Sequence, residues 1–293
     1  MPMPRSPALR GACLILASCV LAGCATGAAR RAPAAGSGDA NLNAVAWMQT
    51  SVEHDQVYRS VFRAASSQLG AALADPDWDA LPAGDRDRPA RHLPPAVIVD
   101  VDETMLDNSR YQARLLRDDT AYAAASWDAW CREQAASALP GAVEFARQAV
   151  ARGVTVFYVS NRTQDVASET LANLRATGFP TAQGEAVFLG KGFAVEGCTV
   201  ADRSDKSCRR RLVGRSHRVL LQVGDQLGDF FETRAVTPAE RRAAASPWDD
   251  WFGERWFMLP NPSYGNWASA PYRNAHDLPI EAQREAIMKS LSY

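Results

Sequence analysis

The sequence predicts an α/β fold in which a parallel sheet is flanked by helices on both faces. Three observations carry this. Short apolar runs alternate with helical patterns from residue 96 to residue 259, and the runs are apolar throughout instead of at every second position. Of the 293 residues, 47% are hydrophobic against 22% charged, which is enough to build a large core. The 33 acidic and 32 basic side chains nearly cancel, so no global field is present that would hold a nucleic-acid polymer by its phosphates.

Residues 1–23 read as a signal peptide, because Arg5 and Arg10 precede an apolar run at 12–22 that is about half as long as a stable membrane-spanning helix. The run ends in Leu21-Ala22-Gly23-Cys24, which resembles the lipobox of bacterial lipoproteins. That resemblance implies lipidation of Cys24, a membrane anchor of several acyl chains and, with Ala25 next, an outer-membrane lipoprotein facing the periplasm or the surface. Residues 24–40, rich in Ala, Gly, Arg and Ser, read as a flexible tether. The folded domain is expected over 41–293.

Over 41–74, Val45, Met48, Val52, Val61, Ala65, Leu69 and Ala72 recur mostly at spacings of three and four, which predicts one long amphipathic helix or two in succession. Five prolines between 76 and 95 break the pattern. Strands are then expected at 96–99, 154–159, 186–189, 219–223 and 256–259, and helices at 141–151, 164–176 and 206–213. Outside the leader, Cys131, Cys198 and Cys208 remain. An exported chain permits a Cys198–Cys208 bridge, but three thiols leave one unpaired and the pairing stays open.

In parallel α/β sheets, ligands bind at the carboxyl ends of the strands, so the polar residues that follow each strand are the ones to question. The first strand runs into Asp100-Val101-Asp102-Glu103-Thr104, whose two aspartates share a side by the period of an extended chain. A helix cap or a solvated loop would use such residues, and so would a hard cation, which takes oxygen ligands and offsets their repulsion. The second strand ends in Ser160-Asn161-Arg162, a cap for the next helix, an oxyanion site at that helix's N-terminus, or both. The fourth ends in Val223-Gly224-Asp225-Gln226-Leu227-Gly228-Asp229, which adds two acids four apart that would share a face on a helical turn. His54, His92, His217 and His276 show no ligand spacing. The basic runs at 209–211 and 241–242 read as solvated helix faces.

Together these residues resemble the haloacid dehalogenase (HAD) superfamily, and within it the class C (subfamily IIIB) bacterial acid phosphatases, outer-membrane lipoproteins that often act as 5′-nucleotidases. The resemblance rests on the stretch from Asp100 to Asn108 (Asp-Val-Asp-Glu-Thr-Met-Leu-Asp-Asn), on Pro140-Gly141-Ala142-Val143-Glu144-Phe145, on Phe157-Tyr158-Val159-Ser160-Asn161-Arg162, and on Leu259-Pro260-Asn261-Pro262-Ser263-Tyr264-Gly265. It implies a Rossmann-like core with a smaller helical cap-like region, and a Mg²⁺-dependent phosphatase of small phosphomonoesters with an acidic optimum.

In that family pattern Asp100 is the nucleophile and Asp102 the acid and then the base. Ser160 and Lys206 contact the phosphoryl group, and Asn161 supports the loop. The metal is held by Asp100, by Asp102 through its main-chain carbonyl, by Asp225 and by Asp229. Trp127 and Tyr264 hold a flat ring of the substrate, with Tyr111 a weaker third choice. Two rivals stand beside this reading. A receiver-like phosphoacceptor is opposed by the export signal and the Asp-x-Asp spacing. A surface ligand-binding lipoprotein on a HAD scaffold, with little or no catalysis, is opposed by the intact set of acids, Ser160 and Lys206.

Overall fold

The computed structural model describes residues 41–182, 186–198 and 204–293. The expected signal peptide (1–23), tether (24–40) and lipidation site Cys24 lie outside the described residues. Among the described residues, no helix is long and apolar enough to cross a membrane.

The chain enters the fold through two helices, α1 (Leu42–Thr50) and α2 (Val52–Ala74). Ser51 separates them with an extended backbone, and its side chain accepts from the His54 N–H at 3.1 Å. Glu53 and Asp55 occupy the first turn of α2, at the positive end of the helix dipole. Then come β1 (Pro95–Val99), β2 (Leu106–Asp107), α3 (Ser109–Arg117), α4 (Ala124–Glu133), β3 (Ser137–Ala138), α5 (Ala142–Ala151), β4 (Thr155–Thr163), α6 (Ala167–Ala176) and β5 (Phe188–Lys191). The series ends with α7 (Ser207–Ser216), β6 (Arg218–Gly224), α8 (Pro238–Ala245), β7 (Trp256–Met258), α9 (Asn266–Ser269) and α10 (Ile280–Lys289). The small antiparallel ribbon β2–β3 together with α3 and α4 makes the helical cap-like region.

Five parallel strands form the main sheet in the order β5-β4-β1-β6-β7. Every residue of β6 is buried, and so is every residue of β1 after Pro95, which is why these strands read as unbroken apolar runs. The buried face of α2, with Tyr58, Phe62, Ala65, Leu69 and Ala72, packs on α5 and on β6 and β7. Phe62 meets Phe145 with ring centroids 5.7 Å apart. Gly141, at φ +88°, makes this approach possible, because a Cβ there would sit 3.3 Å from the Arg59 backbone and the Phe62 side chain. At the other edge Trp256 is enclosed by Trp248, Trp251, Phe230, Phe231 and Phe252, with centroids 4.9–5.8 Å away.

Strand register decides the site. Val99 lies level with Tyr158 on one side and Val223 on the other, so Asp100, Ser160 and Asp225 emerge within one residue of each other at the same carboxyl edge. One expectation is corrected here. β4 continues through Thr163, which pairs with Lys191, and a 3-10 turn (Gln164–Val166) precedes α6. Ser160 and Asn161 therefore cap no helix. The Ser160 hydroxyl accepts instead from the N–H of Arg162 at 3.0 Å, a local turn that competes with helix initiation.

Candidate active site

Asp100 leaves β1 with its N–H still tied to the Val223 carbonyl at 2.9 Å. Its carboxylate, with those of Asp225 and Asp229, forms a cluster in which one oxygen of each lies within 4.8 Å of the others. Gly224 brings the loop this close, since a Cβ at that position would collide with the Asp229 side chain. The 3-10 turn from Leu227 to Asp229 folds Asp229 back, so that its Oδ2 accepts from the Gln226 N–H at 2.8 Å. Asp225 Oδ2 accepts from Gln226 Nε2 and Asn261 Nδ2, each at 2.8 Å. The Lys206 ammonium bridges the cluster, donating to Asp229 Oδ1 at 2.6 Å and to Asp100 Oδ1.

The electrostatics follow from burial. Asp100 is pushed up to about 7, chiefly by loss of water, with Lys206 opposing the shift and Asp229 and Asp102 adding to it. Asp225 is held well above the carboxylate range by burial and then by Asp229 and Asp100. Burial alone would lower Lys206, but Asp100 and Asp229 outweigh it and hold the ammonium above its ordinary value. One buried ammonium among three carboxylates leaves negative charge uncompensated, and every donor in the set is an oxygen. The residues fit a divalent cation of the hard class.

The Asp102 carboxylate stays outside this cluster. Its Oδ1 accepts from Arg162 Nε at 2.9 Å and Asn108 Nδ2 at 3.0 Å, and its Oδ2 accepts from the Ser160 hydroxyl at 3.3 Å. Glu103 stands next to it in a left-handed conformation, φ +56°, fully buried, with Oε1 accepting from the Asn108 N–H at 2.8 Å and Oε2 from the Tyr264 hydroxyl. Burial and the neighbouring Asp102 raise this carboxyl well above its usual range. The Tyr58 hydroxyl shares its proton between the carbonyls of Glu103 (2.9 Å) and Pro260 (2.8 Å), which fastens the first strand's loop to the C-terminal loop.

A family model described as HAD superfamily, subfamily IIIB (acid phosphatase) matches residues 40–267. The chain belongs to that family. The acid phosphatase is similar in structure to the class C acid phosphatase from Bacillus anthracis with tungstate bound, at 29% identity and TM-score 0.75, covering 88% of this chain and 99% of that one. A second structure of the Bacillus anthracis enzyme agrees at 29% identity and TM-score 0.74, covering 87% and 98%. The α/β fold, the family and the phosphomonoesterase class implied by the strand-end motifs are thereby established.

In this phosphatase Asp100, Asp225, Asp229 and Lys206 stand together, and Asp102 and Ser160 stand together beside them. Asn161 is exposed, and its Oδ1 accepts from Arg209 Nη2 at 2.8 Å. Trp127 is half-buried, edge-on to Tyr111 at 5.1 Å and 6.4 Å from the Tyr122 ring, with the Arg162 guanidinium 5.6 Å from its centroid. Tyr111 is buried, its hydroxyl 2.9 Å from Ser126 Oγ. Trp127 touches the Arg162 that binds Asp102, and Tyr264 touches Glu103, so both rings border the Asp102 loop. Cys198 and Cys208 are joined in a disulfide, Cα atoms 5.8 Å apart, which ties down the first turn of α7 just after Lys206. Among the described residues, Cys131 is the free thiol.

The reading of 209–211 as a solvated face is wrong for two of its three arginines. Arg209 is buried and grips the Ser160 loop, donating from Nη1 to the Ser160 carbonyl at 2.5 Å and from Nη2 to Asn161. Burial lowers it to about 10. Arg210 is fully buried, with Nε on Asp85 Oδ2 at 2.7 Å and Nη1 on the Gly228 carbonyl at 2.8 Å, so it clamps the loop that carries Asp229. Arg162, Asn108 and Asn261 also escaped the sequence reading, although each lies inside or beside a motif quoted for the family.

Arg209→Met is expected to lower kcat/KM for 4-nitrophenyl phosphate by about ten-fold or more, because the Ser160 loop loses its anchor. Steady-state kinetics check this, and a loss within about two-fold would show that Ser160 needs no such support.

Proposed function

We propose that the chain is a Mg²⁺-dependent acid phosphatase of the cell envelope that hydrolyses small phosphomonoesters, nucleoside 5′-monophosphates among them, through an aspartyl-phosphate on Asp100. The observation that carries this reading is the convergence of Asp100, Asp225 and Asp229 around Lys206, with Asp102 and Ser160 alongside. The tungstate in the Bacillus anthracis enzyme supports it, since a tetrahedral oxyanion is what a phosphoryl-binding edge takes.

Mg²⁺ held by Asp100, Asp225, Asp229 and the Asp102 main-chain carbonyl would neutralise the charge that otherwise keeps a carboxylate from approaching a phosphate. The Asp100 carboxylate bonds to phosphorus as the ester bond breaks, and the leaving oxygen takes the proton carried by Asp102. Asp102 then accepts a proton from the water that attacks the phosphorus, which releases phosphate and restores Asp100. Ser160 and Lys206 donate to the phosphoryl oxygens, and Asn161 with Arg209 holds the Ser160 loop. The first step needs Asp102 protonated, which gives an acidic optimum. Trp127 and Tyr264, at the border of the Asp102 loop, hold a flat ring on the leaving group.

The leader sequence supports an outer-membrane lipoprotein anchored through Cys24. No observation favours the rival of a ligand-binding lipoprotein without catalysis, since the acids, Ser160 and Lys206 are all present, in two adjacent groups.

Phosphate release from nucleoside 5′-monophosphates at about pH 5 to 6 is expected to stop with a chelator and return with Mg²⁺, and Asp100→Asn is expected to abolish turnover while retaining ester binding. Activity that ignores the chelator would sink the metal assignment, and an active Asp100→Asn the nucleophile. Trp127→Ala should raise KM for nucleotides by about ten-fold and that for small alkyl phosphates much less. Equal rises would remove the ring from recognition. Cys24→Ala should move the protein from the membrane to the soluble fraction of its host, and continued membrane retention would refute the anchor.

A further inference from the structure

Arg162 is 1% exposed, and its guanidinium is engaged on every side. Nε donates to Asp102 Oδ1 at 2.9 Å, Nη2 to Asn108 Oδ1 at 3.1 Å and Nη1 to Thr170 Oγ1 at 3.4 Å, with the Trp127 ring 5.6 Å from the guanidinium carbon. Asn108 closes the circuit. Its Nδ2 donates to the same Asp102 Oδ1 at 3.0 Å, while its Oδ1 also accepts from Trp130 Nε1 at 2.8 Å. Arg162, through Nε and with Nη2 also 2.9 Å away, and Asn108 therefore occupy Oδ1 of Asp102, and among the described residues only the Ser160 hydroxyl, at 3.3 Å, donates to Oδ2.

A carboxyl group with one oxygen filled by donors must carry its proton on the other, because a proton on Oδ1 would point at N–H groups that already donate there. Oδ2 is also the oxygen on the Ser160 side, where the proposed mechanism places the phosphoryl group. We infer that Arg162, assisted by Asn108, is a positioning residue that aims Oδ2 of Asp102 at the leaving oxygen and so speeds substrates whose leaving group needs a proton. This rests on the reading of Asp102 as the acid. In the step, the ester P–O bond breaks with its electron pair on the leaving oxygen, which takes the proton from Oδ2. The O–H pair stays on Asp102, whose new negative charge faces Arg162, and the bond from Asp100 to phosphorus forms.

A merely structural Arg162, tying β4 to the cap-like helices, would slow all substrates alike. A positioning role separates them by leaving group. The comparison is between 4-nitrophenyl phosphate, whose phenolate leaves without help, and benzyl phosphate, whose alkoxide does not. It is read as kcat/KM, which reports steps through departure of the leaving group. For Arg162→Lys the loss with benzyl phosphate is expected to exceed that with 4-nitrophenyl phosphate by about ten-fold or more, with competitive inhibition by inorganic phosphate unchanged within about two-fold. Equal losses, or no loss, would overturn the inference.

Asp102→Asn is run in parallel. If it shows no leaving-group bias, the acid role of Asp102 fails. If it shows the bias and Arg162→Lys does not, the positioning role alone fails. Should Arg162→Lys yield no folded protein, Thr170→Val, which removes only the partner of Nη1, carries the same comparison. A bias of about two-fold toward benzyl phosphate then supports the role, and none overturns it.

Discussion

Like charges held close together and out of water are the constraint around which this protein is arranged. Asp100, Asp225 and Asp229 bring their oxygens within 4.8 Å of each other at the edge of a buried sheet, with Asp102 beside them. Such a cluster cannot stand alone, because desolvation and mutual repulsion both act against the ionised forms. The structure meets the demand with a buried lysine inside the cluster and three buried arginines behind it. Lys206 bridges Asp100 and Asp229, Arg162 holds Asp102, Arg209 holds the Ser160 loop and Arg210 holds the Asp229 loop. Lys206 joins two of the loops, and each arginine holds one.

The rest of the fold keeps these loops in place. β1, flanked by β4 and β6, sets the heights of Asp100, Ser160 and Asp225, and the tight packing of Gly224 on Asp229 leaves the last acid little freedom. The C-terminal loop is fastened through Asn261 to Asp225, Tyr264 to Glu103 and the Pro260 carbonyl to Tyr58, among other bonds. Glu103 accepts a left-handed backbone to make its contacts, a strain that a well-determined surrounding can sustain at a functional site. A phosphatase gains from such rigidity, since phosphoryl transfer depends mainly on placement and charge.

The aromatic side of the site connects to the same framework. Trp127 lies against the guanidinium that binds Asp102, and Trp130 donates to the Asn108 that binds both. Trp127, Trp130, Arg162, Asn108 and Asp102 thus form one continuous set of side chains, carried on α4, β4 and the segment between β1 and α3.

Much of this was legible in the chain itself. Periodicity placed the five strands of the main sheet and α1, α2, α5, α6 and α7 to within a few residues, because it records which faces are buried, whereas β2, β3, α3, α4, α8, α9 and α10 were not placed. The acids of 100–102 and 225–229 stood out because they directly follow apolar strands. Lys206 needed the family motif, since a lysine in a basic stretch carries no signal of its own. The end of β4 was misplaced because the apolar run stops at Val159 while the strand continues through polar residues to Thr163, paired with Lys191. Whether Cys198 and Cys208 pair, and which arginines are buried, were decided only by the tertiary structure. Arg209 and Arg210 sit in a run that reads as solvent-facing, and their partners lie 49 and 125 residues away in the chain. Local sequence fixes which elements form and in what order, while the burial of a charge depends on where distant partners arrive, which only the assembled sheet determines.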